Sequence, residues 1–224
     1  MIGLANAKYD MGDTKEAITN YQKVLEIDDE IPDVYYNLAN AQYLVKDVEG
    51  AILNYSKALE FNPKKVECFY NLGNSYCNKN DYMEAIQYYL KAIALDPQHD
   101  PAFYNLGYAY HRTGQIDQAI KSYYIAIKLN PTSSECHFNL ASAYKDNGDD
   151  EKALVQYKQA LKYDQENVDC IINIAQIHEK QEQYADSYHY YSKALSINTQ
   201  SKRAEEGMRK VKKIMDEKEM PYIE

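Results

Sequence analysis

One interval, 34 residues, recurs throughout this sequence. Alanine returns at this spacing from Ala17 through Ala51 to Ala153, and tyrosine returns from Tyr21 to Tyr191. Leucine and proline form further ladders with the same spacing. A chain in which the same residue types return at a fixed period is a repeat array, so one local structure is expected to recur along it.

Within a repeat, apolar residues recur every three or four positions. In the third repeat, Phe69, Leu72 and Tyr76 share one helical face, and Ala85 and Tyr89 share another. This spacing predicts two amphipathic helices joined by a short turn. The sequence therefore predicts an all-α fold, an α-solenoid superhelix of six helix-turn-helix units followed by a C-terminal capping helix.

Turn and end signals fall between the predicted helices. Gly114, Gly148 and Asn80 stand where a left-handed residue would join the two helices of a repeat. Prolines, which cannot continue a helix, follow the second helix of three repeats. These are Pro63, Pro97 and Pro131.

The ladders divide residues 1–199 into a repeat array and leave residues 200–224 as a capping helix and tail. The expected units are about 1–31, 32–65, 66–99, 100–133, 134–167 and 168–201. The unit that begins at Val168 fits the pattern least well. Met1 falls at the fourth position of a repeat, so we expect more chain to precede it in nature.

Composition excludes several classes of protein. With 45% hydrophobic and 26% charged residues, the chain is typical of a folded protein, and no stretch approaches the ~18 consecutive apolar residues of a bilayer helix. The net charge of −9 disfavours nucleic acid and anionic membranes as partners. We expect a cytoplasmic location, with a nuclear or cytoskeleton-associated one left open.

The sequence offers no catalytic residues, and neither a metal nor a cofactor is expected. Cys68, Cys136 and Cys170 occupy one repeat position in separate hairpins, which predicts free thiols rather than disulfides or a zinc site. His178 begins a zinc-helix pattern, but Glu182 stands where the second histidine is required. We therefore predict that the protein is not an enzyme.

Asparagine stands at the sixth position of five successive repeats. These residues are Asn37, Asn71, Asn105, Asn139 and Asn173. Asparagine is a poor helix former, and its amide has donors and an acceptor that match an extended backbone. The ladder therefore predicts a surface that binds an extended polypeptide. The alternative is that these amides cap neighbouring loops or bond between adjacent hairpins.

The period and the ladders resemble those of the tetratricopeptide repeat (TPR) family over residues 1 to about 200. The asparagines are similar to a ladder in the repeat region of O-linked N-acetylglucosamine transferases, where it holds peptide main chains. In this family the first helix of each hairpin lines a concave groove. The resemblance thus implies a candidate peptide-binding groove made of Asn37, Asn71, Asn105, Asn139, Asn173, Asn40, Asn74, Tyr36, Tyr70, Tyr104, Tyr108, Arg112 and Lys145.

The implied function is that of a non-catalytic scaffold that binds a protein or peptide. Acidic residues at the second position, such as Asp33 and Glu67, favour a basic or polar extended segment. The chaperone adaptors of the family hold a terminal carboxylate with lysine and arginine. The equivalent positions here include Tyr36, Pro101 and Glu135, so we predict that chaperone tails do not bind.

Two other functions stay open. The chain could be a structural subunit held by its convex face or its ends, or it could be the TPR region of a larger multidomain enzyme. The partner's identity and the oligomeric state are not encoded in a pattern that so many repeat proteins share.

Overall fold

A computed structural model describes residues 1–221, which fold into thirteen α-helices and contain no strand. The chain divides into two compact units, Met1–Gln115 and Ile116–Glu224. The predicted fold class, an all-α array of six helical pairs followed by a C-terminal helix, is confirmed.

The first unit contains seven helices. They are α1 (Ile2–Asp10), α2 (Thr14–Leu25), α3 (Pro32–Leu44), α4 (Val48–Phe61), α5 (Val66–Asn78), α6 (Tyr82–Leu95) and α7 (Asp100–Arg112). The second unit contains the other six within the described residues. They are α8 (Ile116–Leu129), α9 (Ser134–Asp146), α10 (Asp150–Tyr163), α11 (Val168–Lys180), α12 (Tyr184–Ile197) and α13 (Lys202–Glu217).

Left-handed residues stand in the turns that the sequence predicts. Gly114, Gly148 and Asn80 have φ angles of 75°, 82° and 61°. Lys46 and Glu182 adopt similar angles at the matching places in other repeats, although neither is glycine. The turn conformation therefore belongs to the repeat, and glycine is only the residue that adopts it at least cost.

The second helices end where the prolines predict. Helices α4, α6 and α8 end two residues before Pro63, Pro97 and Pro131. Helix α12 ends at Ile197 in the same register, although Thr199 replaces the proline there. Proline therefore marks this helix end without being required for it.

Alanine and tyrosine ladders form the core of the first unit. The alanines Ala17, Ala51 and Ala85 are fully buried, and Tyr55 and Tyr89 are 1% exposed. Small residues let the helices approach closely enough for these rings to fill the remaining space. At Gly73 the fit is so close that an added Cβ would lie 2.5 Å from the Tyr89 ring.

The core of the second unit becomes more aliphatic toward its C-terminal end. Helix α11 buries four isoleucines with at most 1% exposure each, namely Ile171, Ile172, Ile174 and Ile177. Helix α13 packs on α11 and α12 and contributes the fully buried Ala204, Val211 and Met215. The opposite face of α13 is exposed and charged, as a helix at the end of an array requires.

The cysteines are free thiols. Cys68, Cys136 and Cys170 are buried, and Cys77 is half-buried. Burial raises the pKa of the Cys68 and Cys170 thiols to about 12. These thiols are packing residues, because a thiol that stays protonated is a poor nucleophile and metal ligand.

Candidate polypeptide-binding surface

In the first unit, the asparagines at the sixth position bond to asparagines of the preceding repeat. The Nδ2 atom of Asn71 donates to Oδ1 of Asn40 at 3.2 Å. The equivalent distances are 3.4 Å from Asn37 to Asn6 and 2.9 Å from Asn105 to Asn74. We call these three pairs the amide rungs: Asn6–Asn37, Asn40–Asn71 and Asn74–Asn105.

A buried tyrosine hydroxyl supports each amide rung from below. Tyr55 donates to Oδ1 of Asn40 at 2.7 Å, and Tyr21 and Tyr89 donate in the same way to Asn6 and Asn74 at 2.7 and 2.8 Å. Burial raises the pKa of both Tyr55 and Tyr89, so these hydroxyls keep their protons and act as donors.

These contacts fix which way each amide points. In the middle rung, Oδ1 of Asn40 accepts from both Tyr55 and Asn71, so the NH₂ group of Asn40 takes no part in these two bonds. Asn71 keeps its carbonyl oxygen and one N–H. Each rung thus offers a donor and an acceptor at its surface.

Bonding between adjacent hairpins, which the sequence left open as an alternative, is present at Asn37, Asn71 and Asn105. Asn105 is the most restricted of them, because its Nδ2 donates both to Asn74 and to the Tyr70 hydroxyl at 3.1 Å. The internal bonds use part of each amide and orient the rest.

Two of the amide rungs line open hollows. A hollow of about 440 Å³ is bounded by Asn6, Asn37, Tyr36 and Lys65. Another, of about 290 Å³, is bounded by Asn74, Asn105 and Tyr108, with Tyr43 and Cys77 beside them. The orientation of the amides therefore matters to any ligand that enters these hollows.

The aromatic candidates are half-buried, and several already contact side chains of the protein. Lys65 lies over the Tyr36 ring at 4.2 Å, and Tyr70 contacts the His99 ring at 4.8 Å. Tyr104 lies half-buried on α7. Because they are half-buried and already in contact with other side chains, these rings have few conformations open to them.

Arg112 is held against two tyrosines. Its guanidinium lies 4.8 Å from the centre of the Tyr82 ring, and its Nη1 donates to the Tyr108 hydroxyl at 2.7 Å. Because one guanidinium nitrogen makes this bond, Arg112 keeps several N–H groups for a ligand.

The acidic second position is less acidic than the sequence suggests. Asp33 pairs with Lys65 at 2.8 Å in the first unit, and Asp169 pairs with Arg203 at 2.6 Å in the second. Lys65 immediately precedes α5, and Arg203 lies in the first turn of α13. These two carboxylates therefore give weaker attraction to a basic segment than an isolated carboxylate would.

In the second unit, the sixth-position asparagine of α11 has a lysine as its partner. Asn173 is only 9% exposed, and its Oδ1 accepts from Lys145 Nζ at 2.8 Å. Lys145 also donates to Oε1 of Gln176 at 2.9 Å. Ser142 stands at the ninth position and pairs with the Tyr157 hydroxyl at 3.1 Å. Asn173 is thus bonded to Lys145, whereas the sixth-position asparagines of the first unit are bonded to another asparagine.

Burial lowers the pKa of Lys145, since half-burial disfavours its charged form. Asn139, the remaining candidate of this unit, lies half-buried on α9. The structure thus brings Lys145 and Asn173 together, as it does Tyr108 and Arg112 in the first unit.

Neither a metal-binding cluster nor a membrane-spanning helix is found in residues 1–221. Within them, no group of three or more His, Cys, Asp or Glu side chains is placed to hold a metal ion. In the same range, every helix is too short or too polar to cross a bilayer.

Sequence reasoning missed the tyrosine hydroxyls below the rungs and the reach of Lys145. A signal for the rungs does exist, because asparagines recur 31 residues apart, from the ninth position of one repeat to the sixth of the next. Lys145 leaves no such signal, because the equivalent position holds His111 in the preceding repeat and Glu179 in the following one.

Helices packed in consecutive pairs, with polar side chains on the first helix of each pair, define a helical-repeat scaffold. The chain belongs to the tetratricopeptide repeat family, whose members are typically non-catalytic scaffolds that bind other proteins. The model described as TPR repeat matches residues 5–45, 73–114 and 141–182. Models described as tetratricopeptide repeat match 32–65, 101–133, 54–87, 123–155 and 168–201.

Several solved structures share this fold. MamA is 26% identical with a TM-score of 0.70, covering 74% of this chain and 96% of its own. YrrB, described as a TPR protein with an unusual peptide-binding site, is 25% identical with a TM-score of 0.74, covering 84% and 97%. PilF of Pseudomonas aeruginosa is 21% identical with a TM-score of 0.77, covering 93% and 95%. No curated protein sequence matches the chain.

Proposed function

We propose that this protein is a non-catalytic scaffold that binds an extended polypeptide through the amide rungs of its first unit. The observation that carries the proposal is the fixed orientation of the rungs. In each pair, one amide presents its NH₂ group and the other presents its carbonyl oxygen, and an extended backbone carries the complementary C=O and N–H groups.

The internal contacts favour binding because they reduce its entropic cost. An amide held by a buried hydroxyl has little rotational freedom to lose when a ligand arrives. The likeness to YrrB, described as having a peptide-binding site, supports a peptide ligand. The compensated Asp33 favours a polar segment over a strongly basic one.

The test begins with peptides selected by display for binding to the intact chain, followed by calorimetry on alanine variants. Asn37→Ala and Asn71→Ala should each weaken binding roughly 2- to 12-fold, which corresponds to the loss of a hydrogen bond of about 0.5–1.5 kcal/mol. Asn20→Ala is the matched control, because Asn20 lies on α2 and bonds to the Glu16 carbonyl of its own helix.

Tyr55→Phe separates binding from stability. It removes the buried donor to Asn40 but leaves every group on the rung surface in place. We expect it to lower the free energy of unfolding by about 1 kcal/mol and to weaken binding less than Asn71→Ala does.

A different result would favour the alternative, a structural subunit held by its outer helices. Leu53, on α4, is 62% exposed and offers apolar surface there. If Leu53→Glu abolished binding while Asn37→Ala and Asn71→Ala had no effect, the rungs would not be the binding surface.

A further inference from the structure

A hollow of about 660 Å³ lies on the second unit, walled by residues of α11, α12 and α13. It shares no residue with the amide rungs. Three cations, Lys180, Arg203 and Lys210, line it, together with the carboxylates of Glu179 and Glu206. The balance of unused hydrogen-bonding groups in this wall indicates what the hollow binds.

Glu179 has both oxygens engaged by the protein. Tyr191 donates to Oε2 at 3.0 Å, and Lys210 pairs with Oε1. The Glu179 side chain is only 16% exposed. Its charge is therefore largely compensated, and Glu206 is the one lining carboxylate without an ion pair among the described residues.

Each cation of the wall has one carboxylate partner. Lys210 pairs with Glu179 inside the wall, and the other two cations pair with carboxylates outside it. Lys180 pairs with Asp150, and Arg203 pairs with Asp169 at 2.6 Å. The side chains of Lys180, Arg203 and Lys210 are 64%, 56% and 67% exposed. Arginine has five N–H donors and lysine has three, so most of their donors are unused by these pairs.

Gln176 adds further donors to the same wall. Its Oε1 accepts from Lys145 at 2.9 Å, which leaves its NH₂ group for the hollow. The wall is therefore rich in N–H donors, whereas its acceptors are mostly engaged. Such a wall is complementary to an anionic acceptor, and a planar carboxylate matches a guanidinium best.

We propose that this hollow binds a carboxylate side chain of an acidic polypeptide segment, with Arg203 as its main contact and Lys210 and Lys180 as supporting donors. The chain as a whole carries −9 and each of the three cations has a carboxylate partner, so the site acts through its unused N–H donors and their geometry. The inference rests on the proposed function only in taking the ligand to be a polypeptide, and it uses different residues.

The test uses fluorescein-labelled hexaglutamate with blocked termini, compared with hexaglutamine and hexalysine by fluorescence anisotropy. Hexaglutamate should bind about tenfold more tightly than hexaglutamine, because charge-assisted hydrogen bonds are about twice as strong as neutral ones. The double variant Arg203→Gln with Lys210→Gln should remove this difference. Glu206→Gln should strengthen hexaglutamate binding, since it removes an opposing carboxylate.

The matched control is Arg209→Gln with Lys213→Gln. It makes the same change in net charge on α13, but these side chains are 73% and 78% exposed and do not line the hollow. It should change hexaglutamate affinity less than about twofold, as expected for exposed charges. Circular dichroism of each variant checks that the helices are retained.

Four results would overturn the inference, and the first three concern the peptides and the double variants. Hexaglutamate could bind no more tightly than hexaglutamine, the two double variants could weaken it equally, or inorganic phosphate could bind while hexaglutamate does not. Asn71→Ala should leave hexaglutamate affinity unchanged. If it alone abolished binding, the site would be wrong while the proposed role of the rungs would stand.

Discussion

The two units differ in the polar contacts that join the first helix of one repeat to the first helix of the next. In the first, each sixth-position asparagine bonds to an asparagine of the preceding repeat and so keeps donors and acceptors in balance. In the second, Ser142 is too short for this, and the Lys145 ammonium takes the carbonyl oxygens of Asn173 and Gln176. Changes at two positions of the repeat, Ser142 and Lys145, thus replace an amide-to-amide contact with a lysine-to-amide contact.

This difference shows how a repeat fold varies its surface chemistry on a constant core. The buried alanines and tyrosines continue through both units, so the scaffold is unchanged. The polar side chains on the first helices vary more than this core, provided that each buried tyrosine hydroxyl keeps a partner, as Tyr55 does in Asn40 and Tyr157 does in Ser142.

The largest expected effect comes from glycines that touch tyrosine rings in the two units. A Cβ at Gly73 would lie 2.5 Å from the Tyr89 ring, and one at Gly207 would lie 2.3 Å from the Tyr191 ring. Because these distances are far shorter than a normal contact, Gly73→Ala and Gly207→Ala should each lower the free energy of unfolding by about 1–3 kcal/mol through overpacking.

Urea unfolding measures this effect, with Gly3→Ala as the control. Gly3 lies in a helix and has no atom within 4 Å of an added Cβ, so this variant should gain up to about 1 kcal/mol from helix propensity. Equal stability of all three variants would contradict the packing described here.

A smaller effect should distinguish the two kinds of polar support. Asn40→Ala leaves both the buried Tyr55 hydroxyl and Asn71 without their acceptor and should cost about 2 kcal/mol of unfolding free energy. Ser142→Ala removes the partner of Tyr157, together with a bond to the Phe138 carbonyl of its own helix, and should cost about 1 kcal/mol. Equal losses in urea unfolding would show that the amide rungs add nothing beyond the tyrosine contact.

The smallest effect is a pH dependence that belongs to the second unit. Burial lowers the pKa of Lys145 below its unfolded value of 10.5, so the unfolded chain binds the extra proton more readily. As pH rises through the folded pKa toward 10.5, this residue's unfavourable contribution should disappear, and stability should rise relative to Lys145→Met. Parallel curves of unfolding free energy against pH for the two proteins would contradict this assignment.

Much of the fold could be predicted from the sequence, because a fixed period reports the same structure many times. The turns at Asn80 and Gly114 and the helix end before Pro97 all follow from local preferences. The identity of the candidate residues was also accessible, since Asn37 and Asn71 stand out in a helix that does not favour asparagine.

The contacts of those residues could not be predicted in the same way. The Asn40–Asn71 bond depends on how one hairpin is offset against the next, which the period does not contain. The bond from Lys145 to Asn173 requires the full reach of a flexible side chain. The hollow beside Arg203 depends on how α13 packs, and no other repeat provides a template for that helix.

The most direct test of the central claim is to follow the side-chain NH₂ signals of the rung asparagines by NMR while a selected peptide is added. The account predicts that the signals of Asn40 and Asn71 shift and that their hydrogens exchange more slowly, whereas those of Asn20 do not change. If the peptide bound while the rung signals stayed unchanged and signals from α4 moved, the amide rungs would be structural contacts alone.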